Sequence, residues 1–295
     1  MRFSYNTNGC SNHRLSDALI LIAEAGYDGV SLTLDHHHLD PFAKDWEAQA
    51  RALRHDLQAL GLGVVIETGA RYLLDPRAKH EPTLLNPTAD GRARRVAFLN
   101  RAIDICAILD GEALSFFSGV PQDCVAPADA RAFLLEGLCC VATHAKAQGV
   151  TIALEPEPGH LIATCADFTV IAAELGRSVD TPLTMALDTG HCLVTQDIDP
   201  AVAVTQYAGV LGTVAIEDIR RGVHEHLPFG TGDMDISGIL AALDRSGFSG
   251  LVSVELSRES HRAHAAIPES LAYLRRHLPS ESDTAPNASP VLGSH

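Results

Sequence analysis

The chain has 295 residues, 46% hydrophobic and 20% charged, which suits one large buried core and leaves little room for a second full domain. Its formal net charge of -15 disfavours nucleic acid as a partner, because binding a polyanion needs clustered Lys and Arg to release counterions from phosphates. Seven cysteines, scattered without CxxC spacing, argue against a disulfide framework or a thiolate zinc site and for a reducing cytoplasm. No apolar run approaches the roughly 20 residues that span a bilayer.

In chain order, Met1 to Asn6 reads as a strand rather than a charged segment followed by an apolar run and a cleavage site, so no secretory signal is expected. Short runs rich in Val, Ile and Leu then alternate with stretches of helical spacing, the sequence form of repeated βα units. The runs are Phe3 to Asn6, Gly29 to Leu34, Gly63 to Glu67, Ala113 to Phe117, Val150 to Glu155, Leu183 to Asp188, Leu211 to Ile216 and Leu251 to Leu256. Helices are expected to start near Arg14, Trp46, Asp90, Pro127, Cys165, Asp199 and Ile236, with a last one from about Pro268 to Leu278. Gly26, Gly61, Gly149 and Gly247 stand where helices should end. The arginines at 92, 94 and 95, and those at 220 and 221, read as solvated faces. The connection from Thr68 to Thr88 is long enough to lie over a barrel mouth, where such loops carry function. The pattern predicts the α/β class, a single (β/α)8 TIM barrel over 1–278, with 279–295 as a disordered tail. An open doubly wound sheet lacks support, since no GxGxxG or GxxxxGK[ST] turn follows the first strand.

In a parallel barrel, polar residues at the C-terminal strand ends face the mouth, above apolar layers. The fifth, sixth and eighth runs end in Glu155, Asp188 and Glu255. Carboxylates converging from separate strands repel one another unless a proton or a cation compensates, and a divalent metal resolves this. Histidines are at hand, with His191 one turn past Asp188 and His224 and His226 after the seventh run. Carboxylate oxygens mixed with imidazoles suit Mn2+, Zn2+, Co2+ or Fe2+ better than Ca2+. Taken singly, each of these side chains also fits an ion pair or a structural histidine. The segment Asp35-His36-His37-His38 places consecutive histidines that cannot all face one ion; either one of them, with His38 the candidate, contacts substrate, or the segment is an exposed loop. Glu67, Arg71, Lys79 and His80 would hold hydroxyls or an anionic group of a substrate, or else form salt bridges that fix the long loop.

With these residues in view, the chain resembles the xylose-isomerase-like barrel superfamily of sugar epimerases and isomerases, inosose dehydratases, hydroxypyruvate isomerases and endonuclease-IV-type apurinic endonucleases. The resemblance rests on Ala153-Leu154-Glu155-Pro156, Leu187-Asp188-Thr189-Gly190-His191, the stretch from His226 to Asp235 that looks like H-x-x-x-G-x-G-x-x-D, and Ser253-Val254-Glu255. It implies Glu155, Asp188 and Glu255 as metal ligands and the two glutamates as an acid–base pair. His191 would contact substrate, or hold an additional zinc together with His224 and His226. The chain departs from the pattern at Ala215, where the family usually has a histidine ligand in strand seven. His226, His224 or Glu217 would then supply the missing bond, with Glu217 otherwise a substrate contact, or zinc is held by the three histidines alone. A second departure is Phe116-Phe117-Ser118-Gly119, where the multi-zinc endonucleases carry a His; with the acidic charge, it argues against a DNA-repair site. The expected function is a metal-dependent isomerase or epimerase of a sugar, cyclitol or related hydroxy-carbonyl compound, acting through an enediolate. A zinc-dependent hydrolase, a dehydratase and a non-catalytic barrel are the alternatives. Small polyhydroxylated molecules are the expected partners; the sequence is silent on assembly, though barrels of this kind often form homodimers.

Overall fold

The computed structural model describes residues 1–69 and 71–279, so the expected tail lies outside the described residues beyond Pro279. Strands β1 (Arg2–Asn6), β2 (Gly29–Thr33), β3 (Gly63–Glu67), β4 (Leu114–Phe117), β5 (Ile152–Glu155), β6 (Thr184–Asp188) and β7 (Leu211–Ile216) are followed by the short β8 (Asp218–Arg220) and β9 (Val223–Leu227), then β10 (Leu251–Val254). A closed barrel runs β1-β10-β7-β6-β5-β4-β3-β2, and β8 and β9 form a separate antiparallel ribbon. Every barrel pairing is parallel.

Alternation along the strands divides two environments. Val30, Leu32, Leu114, Phe116, Ile152, Leu154, Met185, Leu187, Val214, Ile216, Val252 and Val254 belong to the continuous apolar core that the outer helices cover. Inward positions differ from the expected apolar layers. Ser31, Ser115, Thr213 and Ser253 line the interior, and the Ser4 and Ser253 hydroxyls, paired in register, share a hydrogen bond of 2.5 Å. Bulky apolar side chains are spent on the helix-facing side, and the small polar ones leave depth inside for the long carboxylates above.

Helices α1 (Leu15–Ala25), α2 (Trp46–Leu60), α3 (Ala89–Leu109), α4 (Pro127–Gln148), α5 (Cys165–Leu175), α6 (Thr189–Thr195), α7 (Pro200–Tyr207), α8 (Ile236–Ser246) and α9 (Ala263–Arg276) complete the fold. The junction glycines 26, 61, 149 and 247 close α1, α2, α4 and α8 in the left-handed conformation. Helix α9 starts well before the expected Pro268, because Ala263, Ala266 and Ile267 bury in its first turns and hold them around the proline. Neither α6 nor the ribbon was expected; both interrupt βα connections at the mouth.

Arg95 corrects the expected solvated face. It is fully buried under the long loop, donates from Nη2 to the Thr68 carbonyl at 3.3 Å, and lies 5.2 and 5.0 Å from the rings of Phe98 and Phe117. Arg94, Arg220 and Arg221 are exposed as expected.

Candidate metal centre

Glu155 at the end of β5, Asp188 at the end of β6 and Glu255 just past β10 all line one cavity of about 310 Å3 at the mouth. Ligand-capable atoms of Glu155, Asp188 and His191 lie within 4.8 Å of one another, as do those of Asp188, His226 and Glu255, and those of His191, His224 and His226. The residues singled out from the late strands are therefore brought together.

Asp188 is locked by its own helix. As N-cap of α6, its Oδ1 accepts from the backbone N–H groups of Gly190 at 2.8 Å and His191 at 3.1 Å. Its Oδ2 is buried and has no hydrogen bond among the described residues, 3.4 Å from His191 Nε2. An unpaired buried acceptor costs about 1–3 kcal/mol unless positive charge shares its space. His191 Nδ1 is 3.0 Å from the Pro156 carbonyl, which only accepts. An N–H on that nitrogen donates to the carbonyl, and Nε2 faces the cavity. His224 Nε2 meets it at 3.1 Å.

The ribbon supplies the remaining histidines. Residues two apart share a strand face, so His224 and His226 hang side by side with ring centroids 5.5 Å apart. The turn after β9 wraps around the buried Asp218, which accepts from the N–H groups of Ile219 (3.0 Å), Gly230 (2.8 Å), Thr231 (3.0 Å) and Met234 (3.1 Å). Gly232 is needed for that approach, since a Cβ there would lie 2.3 Å from Asp218 Oδ1. The glycine-rich stretch after His226 thus shapes a turn.

Ala215 sits in register between Asp188 and Ser253 and carries no donor group. The ring that reaches Asp188 and Glu255 is His226. Glu217, expected at the substrate, does not line the mouth cavity. It is fully buried behind His226, with Oε2 3.7 Å from Nδ1.

On the early strands, Glu67 accepts from the Thr33 hydroxyl at 2.8 Å and lines the cavity with Arg71, Lys79 and His80. Among the described residues neither Arg71 nor Lys79 pairs with a carboxylate, so the salt bridges considered for the loop do not form. His38 corrects a second expectation. It lies outside the cavity, with Nε2 3.3 Å from the His13 carbonyl, because the segment after β2 turns towards the start of α1. His36 pairs at 2.7 Å with Asp35 instead.

Two side chains of the site escaped the sequence reading. Glu157 lies 3.6 Å from His191 Nδ1 and 3.9 Å from His224 Nε2, and its signal was its spacing of two from Glu155. Asn8 donates to Glu255 Oε1 at 2.9 Å, and nothing local marks it beyond a polar residue following β1.

Burial raises the Glu155 pKa well above the usual carboxylate range, reinforced by Glu157, Asp188 and Glu255. Burial likewise pushes Glu67 up to about 7. At Asp188 burial acts upward too, but His191 and His226 outweigh it and the pKa is lowered. Burial, then His191, holds His224 down to about 4 and so neutral. His226 resists burial: Glu217, Glu255 and Asp188 push it up to about 11. The pocket draws positive charge, and its oxygens and imidazole nitrogens, with Asp188 Oδ2 free, fit a first-row divalent cation.

Comparison with known proteins gives a family model, xylose isomerase-like TIM barrel, matching residues 19–277. A 2-oxo-tetronate isomerase of Cupriavidus necator is 24% identical over 284 residues, covering 94% of this chain and 98% of that protein. Among solved structures, an L-ribulose 3-epimerase superposes with a TM-score of 0.75 at 23% identity, covering 94% of each chain. The IOLI protein with a binding zinc atom superposes with a TM-score of 0.75 at 20% identity, covering 94% of this chain and 98% of that one.

Proposed function

The chain belongs to the xylose isomerase-like TIM barrel family, and from that premise we propose that it is a divalent-metal-dependent isomerase or epimerase of a small polyhydroxylated hydroxy-carbonyl compound. The carrying observation is the convergence of Glu155, Asp188 and Glu255, from separate strands, around the unpartnered Asp188 Oδ2. Mn2+, Zn2+, Co2+ or Fe2+ would be held by these carboxylates with histidine.

Glu155 and Glu255 come from strands separated in the barrel by β6 and β7, and so flank whatever occupies the mouth. In this reading one takes the proton next to the substrate carbonyl, giving an enediolate. The other returns a proton to the opposite face, which yields an epimer, or to the neighbouring carbon, which yields an isomer. Asn8 sets the angle of Glu255. A bound cation would polarise the carbonyl and offset charge developing on the enediolate. Glu67 would hold hydroxyls, and Arg71 and Lys79, which pair with no carboxylate among the described residues, would take an anionic end such as a carboxylate. The name 2-oxo-tetronate isomerase on a relative of matching length supports that substrate type.

The test is hydrogen exchange from deuterated solvent into recovered substrate, over a panel of ketoses and 2-oxo sugar acids. Glu155→Gln and Glu255→Gln should each lower exchange by about 10²–10⁴-fold while circular dichroism stays unchanged. Full activity in both variants removes these residues from the chemistry. The gathering of His191, His224 and His226 favours a second reading, a zinc-activated water for hydrolysis. That enzyme would release product with no solvent hydrogen in recovered substrate. A reducing cytoplasm, with its cysteines as free thiols, and a homodimer complete the proposal. No helix among the described residues is long and apolar enough to cross a membrane.

A further inference from the structure

We propose that this chain replaces the absent strand-seven ligand with a relay of two side chains: buried Glu217 accepts the Nδ1 proton of His226, aiming Nε2 into the carboxylate cluster as a metal ligand. The inference rests on the metal-dependent reading of the mouth. Ala215 faces Asp188 in register and has nothing to coordinate with, so the donor has to arrive from elsewhere. The ribbon delivers His226 to within 4.8 Å of both Asp188 and Glu255.

Glu217 is what makes that ring a defined ligand. Its side chain is fully buried, and among the described residues neither of its oxygens nor His226 Nδ1 makes a hydrogen bond, although Oε2 and Nδ1 are only 3.7 Å apart. A carboxylate buried beside a second one, Asp188, is expensive, and the His226 ring offers a donor 3.7 Å away. The fold also makes room for it. A Cβ on Gly190, in the first turn of α6, would lie 2.0 Å from Glu217 Oε1. A carboxylate held against Nδ1 fixes the tautomer and the ring plane, leaving the Nε2 lone pair for the cation and making it a better donor. Glu217 is thus a positioning residue for the metal site, since the mouth cavity does not expose it to substrate.

The experiment measures Mn2+ and Zn2+ affinity of chelator-stripped protein by competition with a chromophoric chelator, independently of turnover. His226→Ala should weaken binding by at least about 100-fold, and Glu217→Gln by about 10–100-fold. In the His226→Ala background, Glu217→Gln should change affinity by less than about 2-fold, since a relay has nothing left to position. Circular dichroism checks the fold, and His226→Gln serves if the alanine variant is unstable. Wild-type affinity in the His226 variants overturns the proposal, as does a Glu217→Gln loss that persists undiminished without His226. Substrate exchange that continues in wild type alongside either result would overturn the relay and leave the isomerase reading standing.

Discussion

Asp218→Ala strips the acceptor from the backbone N–H groups of Ile219, Gly230, Thr231 and Met234 at once. Each hydrogen bond is worth about 0.5–1.5 kcal/mol net, so the set spans about 2–6 kcal/mol. Gly230 and Thr231 lie at exposed positions where water replaces the lost oxygen, whereas Ile219 is buried and Met234 half-buried. The cost therefore concentrates on two donors and comes to about 3 kcal/mol. For a domain of this size that is a fall in Tm of about 6–12 °C by scanning calorimetry, at about 2–4 °C per kcal/mol. Asp218→Asn keeps one oxygen but turns its NH2 against the other pair of donors, and should recover less than half of the loss. Metal affinity should fall with Tm, because the ribbon closed around Asp218 carries His226. A melting temperature within about 2 °C of wild type for Asp218→Ala would refute the claim that this carboxylate holds the ribbon.

Gly190→Ala should destabilise by about 1–3 kcal/mol through overpacking against Glu217, and the loss should shrink in a Glu217→Ala background; equal losses in both would show that the contact is not the cause. Addition of a divalent cation at 100 times its Kd should stabilise by about 2.7 kcal/mol, raising Tm by about 5–10 °C, and EDTA should reverse it. No shift with Mn2+, Zn2+, Co2+ or Fe2+ would sink the metal centre. Burial, with help from His37, holds the His38 pKa down to about 4 against its ordinary 6.5. Between these values the unfolded chain binds a proton that the folded ring refuses, so stability present above pH 6.5 is lost as pH falls towards 4. His38→Gln should flatten that slope, compared as melting temperatures at about pH 7 and pH 5; parallel curves for variant and wild type would contradict it.

The βα alternation, the closed barrel and the strand-end acids Glu155, Asp188 and Glu255 were legible because each depends on a periodicity contained within one strand or one helix. The same logic, taken two residues past Glu155, would have found Glu157. Periodicity could not say that Arg95 turns into the core to meet Thr68, that His38 turns away from the mouth, or that Glu217 lies behind a histidine. It also could not choose which histidine takes over at Ala215. His226 reaches Asp188 and Glu255 only because the ribbon folds around Asp218 and crosses the closed barrel mouth. Those contacts join residues far apart in the chain, and they exist only once barrel closure fixes the strands that carry them.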